Sequence, residues 1–349
     1  LEHLMDLDYI GSLLAGFCLA VFLLYILRPV AAHINLVDEP GERKLHEGAV
    51  PLIGGIAIFV AFSFAILTID SPISSLRAFF AGSLILMFTG VLDDLHELSA
   101  GKRFIAQIIA TTIMAAWGGV VLNDFGYLVS TGFVFELGWL AVPVTVFAAI
   151  GVINALNMLD GVDGLAGFVS LVCVLGMMII CITSGQTHTL MVLGLLAAVL
   201  IAFLIFNLNC DHRNCTLVFM GDSGSMFLGF VLSWFLISLS QGDARAMSPV
   251  IALWLFAVPL IETLTMIINR VRQGRSPFSA DREHLHHMLE EAGLGKRMIL
   301  VVIVGASLLL ASIGLAGHYF QVPEPVMFYA FLAVFGGYLV VWKKLRVKD

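Results

Sequence analysis

The chain has 349 residues, 60% of them hydrophobic and only 12% charged. A soluble globular domain carries roughly 25% charged residues, so that class is excluded, and a net charge of −7 gives no footing for a nucleic-acid partner. The five cysteines lie in or beside apolar runs and read as small apolar residues, while Cys210-x-His212-x-x-Cys215 lacks the second ligand pair a zinc site needs.

Apolar runs of about 17–22 residues, each long enough for a ~30 Å hydrocarbon core, recur along the chain. Met5 is read as a starting methionine with no signal peptide ahead of the first run. That run spans Tyr9 to Leu27 and stops at Arg28-Pro29, and a polar loop follows from His33 to Pro51. The second (Leu52 to Ile69) opens on Gly54-Gly55, which permit close helix packing, and the third (Leu76 to Leu92) ends at Asp93-Asp94. After the fourth (Phe104 to Leu122), Tyr127 to Leu137 is β-prone on both sides of a Ser-Thr-Gly turn and is expected to form a small hairpin outside the membrane. The fifth (Trp139 to Leu156) leads into Asn157-Met-Leu-Asp160-Gly-Val-Asp163-Gly164. The sixth and seventh (Leu165 to Thr183, Thr189 to Phe206) pair through Ser184-Gly-Gln. The eighth (Ser225 to Ser240) and ninth (Pro249 to Asn269) precede a long polar loop, and Met298 to Gly317 and Val326 to Trp342 complete the set. The expectation is an all-α polytopic membrane protein of about eleven transmembrane helices, residues 1–349 forming one integral-membrane domain.

Eleven crossings put the termini on opposite sides. All of the 18 Lys and Arg except Arg77 and Arg245 then fall on the C-terminal side, which places the C-terminus in the cytoplasm and the N-terminus outside, in a periplasm. Five polar islands share that cytoplasmic face: Arg43-Lys44-x-His46; Asp93-Asp94; Asn157 to Gly164; Asn207 with Phe219-Met-Gly-Asp222-Ser-Gly-Ser225; and Arg270 to His287. Carboxylates and bases at one interface suit a divalent cation holding a polyphosphate.

Each island also has a plain structural reading. Asp93 and Asp94 could be a solvated helix end, and Asp222 a helix N-cap. Asp160 and Asp163 share a face if their segment is helical, and the glycine after each lets a ligand reach the backbone. In Asp281-Arg282-Glu-His284-Leu-His286-His287, a helix would turn His284 and His287 one way and His286 another. Arg270, Arg272 and Arg275 read most simply as anchors to anionic lipid, with phosphate contact as the sharper alternative. Glu262 sits ~12 Å inside the ninth run, where an ionisable group is either functional or paired with another helix.

In this order the islands resemble the polyprenyl-phosphate N-acetylhexosamine-1-phosphate transferase family over nearly the whole chain. The matching blocks are Val50-Pro-Leu-Ile-Gly-Gly55, Gly90-Val-Leu-Asp-Asp94, Asn154 to Gly164, Val218-Phe-Met-Gly-Asp-Ser-Gly-Ser225 and His284-Leu-His-His287. The His-x-His-His form and Ser276-Pro-Phe-Ser look like the branch that transfers GlcNAc 1-phosphate. The peptidoglycan translocases carry a three-histidine run instead. The resemblance implies that undecaprenyl phosphate attacks the β-phosphate of UDP-GlcNAc, giving undecaprenyl-diphosphate-GlcNAc and UMP. It implies a Mg²⁺ requirement, with Mn²⁺ as an alternative, and a place in the bacterial inner membrane at the first membrane step of a cell-surface polysaccharide such as lipopolysaccharide. Tunicamycin sensitivity is expected, and a homodimer is compatible. By resemblance Asp222 is a magnesium ligand supported by Asp94, and Asp93 is a base or lipid-phosphate partner. Asp163, Asn207 and Phe219 line a uridine site, with Phe219 stacking on uracil. His284, His286 and His287 serve the sugar diphosphate, and Lys44 and Arg103 contact phosphate. Asn157, Arg270 and Arg282 complete the substrate contacts, and Asp160 is a diphosphate partner.

Three other readings compete. Another UDP-N-acetylhexosamine donor changes only the sugar. An intramembrane prenyltransferase explains Asn157-x-x-Asp160-x-x-Asp163 in part but neither Asp222 nor the histidines. An ion-coupled transporter predicts acidic groups near mid-membrane, which only Glu262 supplies.

Overall fold

A computed structural model describes residues 7–39, 48–69, 73–208, 217–276 and 284–346. The first half of the chain contains α1 (Leu7–His33), β1 (Val37–Asp38), β2 (Val50–Pro51), α2 (Gly54–Thr68), α3 (Ile73–His96), α4 (Ala100–Ala116), α5 (Ala141–Leu159) and α6 (Leu165–Ser184). The rest comprises α7 (Thr187–Asn207), α8 (Gly221–Ser240), α9 (Pro249–Leu255), α10 (Ala257–Arg272), α11 (Leu285–Glu291), α12 (Lys296–Tyr319) and α13 (Glu324–Arg346). Helices dominate because a backbone in hydrocarbon must satisfy its own peptide groups. Eight of them (α1, α3, α5, α6, α7, α8, α12 and α13) are long and apolar enough to cross a bilayer unaided. The molecule is a multi-pass membrane protein.

The ninth apolar run is not one helix. It breaks at Phe256, and α9 and α10 meet at an 86° bend. Pro259 explains the break: it has no N–H to give the carbonyl of Leu255, and its ring collides with that carbonyl in a straight helix. Glu262 therefore does not lie 12 Å along a straight span.

Between α4 and α5 the chain folds back on itself. Phe125 N–H donates to the Phe135 carbonyl and Phe135 N–H to that of Gly126, each at 2.9 Å. Leu137 N–H donates to Asn123 at 2.8 Å, so the pairing begins ahead of Tyr127. The side chain of Gln241, just past α8, holds this segment by accepting from Asn123 N–H (2.8 Å) and Asp124 N–H (3.2 Å).

α8 runs through the middle and is buried along nearly its whole length. Phenylalanines clasp it; Phe59 and Phe227 meet edge-on at 5.3 Å, as do Phe79 and Trp234. Its N-terminal turns are reached by glycines. A β-carbon on Gly55 would come within 2.2 Å of Gly224 N, one on Gly90 within 2.2 Å of the Ser223 Cα, and one on Gly82 within 2.5 Å of the Phe230 ring. Gly54 and Gly55 N–H groups donate to the carbonyls of Phe219 and Met220, both at 2.9 Å, and Phe219 N–H donates to Pro51 at 2.9 Å. In hydrocarbon, packing rather than hydrophobicity joins helices, so small residues mark the closest approaches. The space at these glycines is filled by α8 and its lead-in.

Adding a methyl group at Gly90 should therefore push against backbone, not against a side chain that can move. Gly90→Ala is expected to lower the thermal unfolding midpoint in detergent, at an overpacking cost of about 1–3 kcal/mol. Gly151→Ala, where a β-carbon meets nothing within 4 Å, is expected to leave the midpoint unchanged or raise it.

Candidate active site

The helix ends that carry Asp93, Asp94, Arg103 and Asn157 converge on the N-terminus of α8 at Asp222. Here the structure reverses one assignment. Asp222 does not cap its own helix, for the residue at the cap position is Met220, with no side-chain cap bond. The cap comes from α3: Asp94 Oδ1 accepts from Asp222 N–H at 2.8 Å and Oδ2 from Ser223 N–H at 3.2 Å. A carboxylate there satisfies orphan donors and meets the positive end of the helix dipole, together worth about 1–2 kcal/mol. Both Asp94 oxygens are thus engaged in holding α8. A β-carbon on Gly221 would come within 2.7 Å of that carboxylate, and Gly221 has φ +74°, a conformation that favours glycine.

Asp222 is thereby left facing outward, its side chain 35% exposed. Asn157 Nδ2, at the end of α5, donates to Asp222 Oδ1 at 2.6 Å and to Ser225 Oγ at 2.8 Å. Arg103, in the first turn of α4, lies 4.0 Å from Asp222 Oδ2 and 3.0 Å from Asp93 Oδ2. Asp93 is buried, and its other oxygen accepts Leu98 N–H at 2.7 Å, closing the turn out of α3. It holds Arg103 rather than meeting solvent. One turn below, an amide pair braces the same helices: Asn154 Nδ2 donates to the buried Gln107 at Oε1, 2.8 Å away.

Asp160 and Asp163 do not lie on a helix face. α5 ends at Leu159, α6 starts at Leu165, and the intervening turn passes through left-handed Gly164 (φ +79°). Asp160 is half-buried. Burial first, then the carboxylates of Asp222, Asp94 and Asp163, push its carboxyl up to about 8. Buried Asn207 fixes the turn: its Oδ1 accepts from Gly164 N–H, and its Nδ2 donates to the Val218 carbonyl at 2.8 Å. Asn207 thus joins the Asp160–Asp163 turn to the segment carrying Phe219, and its amide is committed to backbone.

The histidines sit over this turn. His284 precedes α11 in extended conformation, so helical periodicity does not apply to it. Its ring stacks on His286 (centroids 5.7 Å, 10° between planes), and His286 lies 4.2 Å from His287. His286, which periodicity sets apart, is the middle of the stack. A β-carbon on Gly161 would come within 2.5 Å of His286 Nε2. Burial first, then His287 and His284, push the His286 imidazole down to about 3, so it is neutral at physiological pH. Glu262, placed by the bend, accepts at Oε1 from Leu285 N–H and contacts His284 Nδ1, both at 3.1 Å. Arg270 is buried and Arg272 and Arg275 are exposed, so simple anchoring to anionic lipid fits the last two and not Arg270. Lys44 and Arg282, with Arg43 and His46, lie outside the described residues.

Known proteins share this arrangement of sequence. Residues 76–240 match the model of glycosyl transferase family 4. The undecaprenyl-phosphate alpha-N-acetylglucosaminyl 1-phosphate transferase of Yersinia pestis is 38% identical over 335 residues, 95% of this chain and 91% of that protein. The chain belongs to glycosyl transferase family 4. The enzymes of the same name from Escherichia coli K12 (37% over 342 residues, 96% and 92% of the two chains) and Haemophilus influenzae (36% over 324 residues, 93% and 91%) are similarly close. The matched segment of this family 4 chain holds Asp93, Asp94, Arg103, Asn157, Asn207 and Asp222, while the histidine stack lies beyond it. Ser225 and the Gln107–Asn154 pair were not singled out from sequence. Gln107 is a buried amide within an apolar run, a signal that could have marked it.

The two aspartates at α8 should separate in stability measurements. Asp94→Asn, which sets an NH₂ group against one of two backbone donors, is expected to destabilise by about 1–2 kcal/mol. Asp222→Asn should leave the unfolding midpoint unchanged or slightly higher. Acidification tests the histidine stack. His286 is neutral when folded, and the unfolded chain takes up its proton below about pH 6.5. Stability contributed by the neutral imidazole is present above pH 6.5 and is lost as pH falls toward 3. His286→Gln should flatten that slope in a series of thermal melts.

Proposed function

We propose that this chain transfers GlcNAc 1-phosphate from UDP-GlcNAc to undecaprenyl phosphate, releasing UMP. The observation that carries this is the outward carboxylate of Asp222, set between Asn157 and Arg103 at a helix N-terminus that Asp94 holds from another helix. That geometry offers a cation site beside a guanidinium, which is what two meeting phosphates require. The relatives named above carry undecaprenyl phosphate and alpha-N-acetylglucosaminyl 1-phosphate transfer in their names.

Among the described residues no group of three or more His, Cys, Asp or Glu is spaced to cage a metal ion. The outward carboxylate of Asp222 suits Mg²⁺, which commonly binds through one or two carboxylates plus substrate phosphates. Asp222 would hold it, and Mn²⁺ would serve in its place; bound, it would neutralise diphosphate charge. The chain's own residues supply the rest. Arg103, oriented by Asp93, pairs with phosphate oxygens. Asp160, whose carboxyl is raised by burial and by the Asp222, Asp94 and Asp163 carboxylates, lies beside the diphosphate. Asp163 and Phe219 take the uridine, with Asn207 fixing the distance between them. The histidine stack meets the sugar diphosphate. The acceptor phosphate is already anionic near pH 7, its second pKa being about 6, so positioning and charge neutralisation outweigh general-base help.

We read α2, α4 and the α9–α10 pair as crossings too, giving eleven. The N-terminus is then outside and the 123–137 hairpin periplasmic, with the site on the cytoplasmic face of a bacterial inner membrane. The transporter reading loses its footing, since Glu262 is engaged by Leu285 N–H and His284.

Purified protein with Mg²⁺, UDP-GlcNAc and undecaprenyl phosphate is expected to release UMP, with tunicamycin blocking the release. Asp222→Asn should cut kcat at least about 100-fold. Phe219→Ala should raise KM for the nucleotide more than for the lipid. Turnover with no UDP-N-acetylhexosamine would overturn the proposal.

A further inference from the structure

Glu262 belongs to none of the motif blocks that carry the resemblance, yet it reaches the histidine stack. We propose that Glu262 is a positioning residue, whose carboxylate fixes the Nδ1–H tautomer of His284 and, through that ring, the orientation of the His284–His286–His287 stack over the Asp160–Gly161 turn. The inference rests on the transfer reaction proposed above and deepens it.

The geometry runs from one oxygen. Glu262 Oε1 lies 3.1 Å from Leu285 N and 3.1 Å from His284 Nδ1. A backbone N–H can only donate, so Oε1 is an acceptor, and Nδ1 reaching the same oxygen carries the proton. Both partners are buried, Glu262 at 4% and His284 at 8% exposure, which strengthens the bond and excludes competing solvent.

No regular structure fixes His284 otherwise. It stands before α11 in extended backbone, and its ring orientation depends on what its side chain touches. The next two rings follow from it: His286 is stacked within 10° of parallel to His284, with His287 against its other side. Gly161 admits the middle ring because it has no β-carbon. Turning His284 would therefore drive His286 against the Asp160–Gly161 turn. The Pro259 break is part of the device, because it redirects α10 so that Glu262 meets a loop 22 residues later in the chain. Carboxylates that orient a working histidine typically cost 10–100-fold in activity when removed.

The test is a double-mutant cycle with a spectroscopic arm. Glu262→Gln, His284→Gln and the double variant are assayed for UMP release from UDP-GlcNAc with undecaprenyl phosphate and Mg²⁺. Glu262→Gln is expected to lower kcat about 10–100-fold while the unfolding midpoint stays within a few degrees. In the His284→Gln background the same change should cost less than about twofold, because coupled residues do not add. Equal costs in both backgrounds would overturn the inference. ¹⁵N NMR of histidine-labelled protein in detergent should show His284 protonated at Nδ1 in the parent and a mixture of tautomers in Glu262→Gln; an unchanged tautomer would overturn it too. If Glu262→Gln does not fold, Glu262→Asp keeps the charge but shortens the reach, and should show the same coupling to His284. A parent that releases no UMP would sink the transfer reaction, and the NMR arm would still decide the role of Glu262.

Discussion

The bond from the Asp94 carboxylate to the first turn of α8 is the constraint on which the site depends. It joins residues 128 apart in sequence. It also works only because Gly55 and Gly90 let α2 and α3 come within backbone distance of Gly224 and Ser223. With the helix dipole satisfied by a neighbour, Asp222 is released from capping and can face a ligand. Had Asp222 capped its own helix, its oxygens would be turned back toward the backbone and away from a ligand.

Around that point each element contributes one side chain and is itself pinned by another. Arg103 is held by Asp93, Asn157 is shared between Asp222 and Ser225, and the turn at Gly164 is tied through Asn207 to the segment before α8. The result is a crowded set of carboxyls, and its electrostatic cost shows in Asp160, whose carboxyl is pushed up to about 8 by burial and by its neighbours. Such a cluster is held ready for positive charge. This is the property expected of a site where two phosphates must be brought together against their repulsion.

The polar islands were legible in the sequence because carboxylates and histidines at the ends of apolar runs have few structural reasons to be there. Their order along the chain also carried the family. What the sequence concealed was partnership. Asp94 and Asp222 share no periodicity, so Asp222 read as a cap. His284 lies outside its helix, so the 3.6-residue rule misplaced His286. Pro259 could have warned of the break in the ninth run, but proline is tolerated in many membrane helices. Gly54 and Gly55 marked a close approach, but not that α8 and its lead-in make it. Glu262 was visible as an oddity, but its partner is 22 residues away across a loop.

The short helices beside the site have a further consequence for the membrane. α2 has 15 residues and α4 has 17, so they rise only about 22 and 25 Å against a hydrocarbon core of ~30 Å. α9 rises about 10 Å before α10 turns away. Each is shorter than the hydrocarbon core, and a bilayer meets a short hydrophobic stretch by thinning beside it. α4 carries Arg103 in its first turn, so thinning beside it would bring headgroups nearer the carboxylates, and under the transfer proposed above the lipid phosphate would reach them while its tail stays dissolved in lipid.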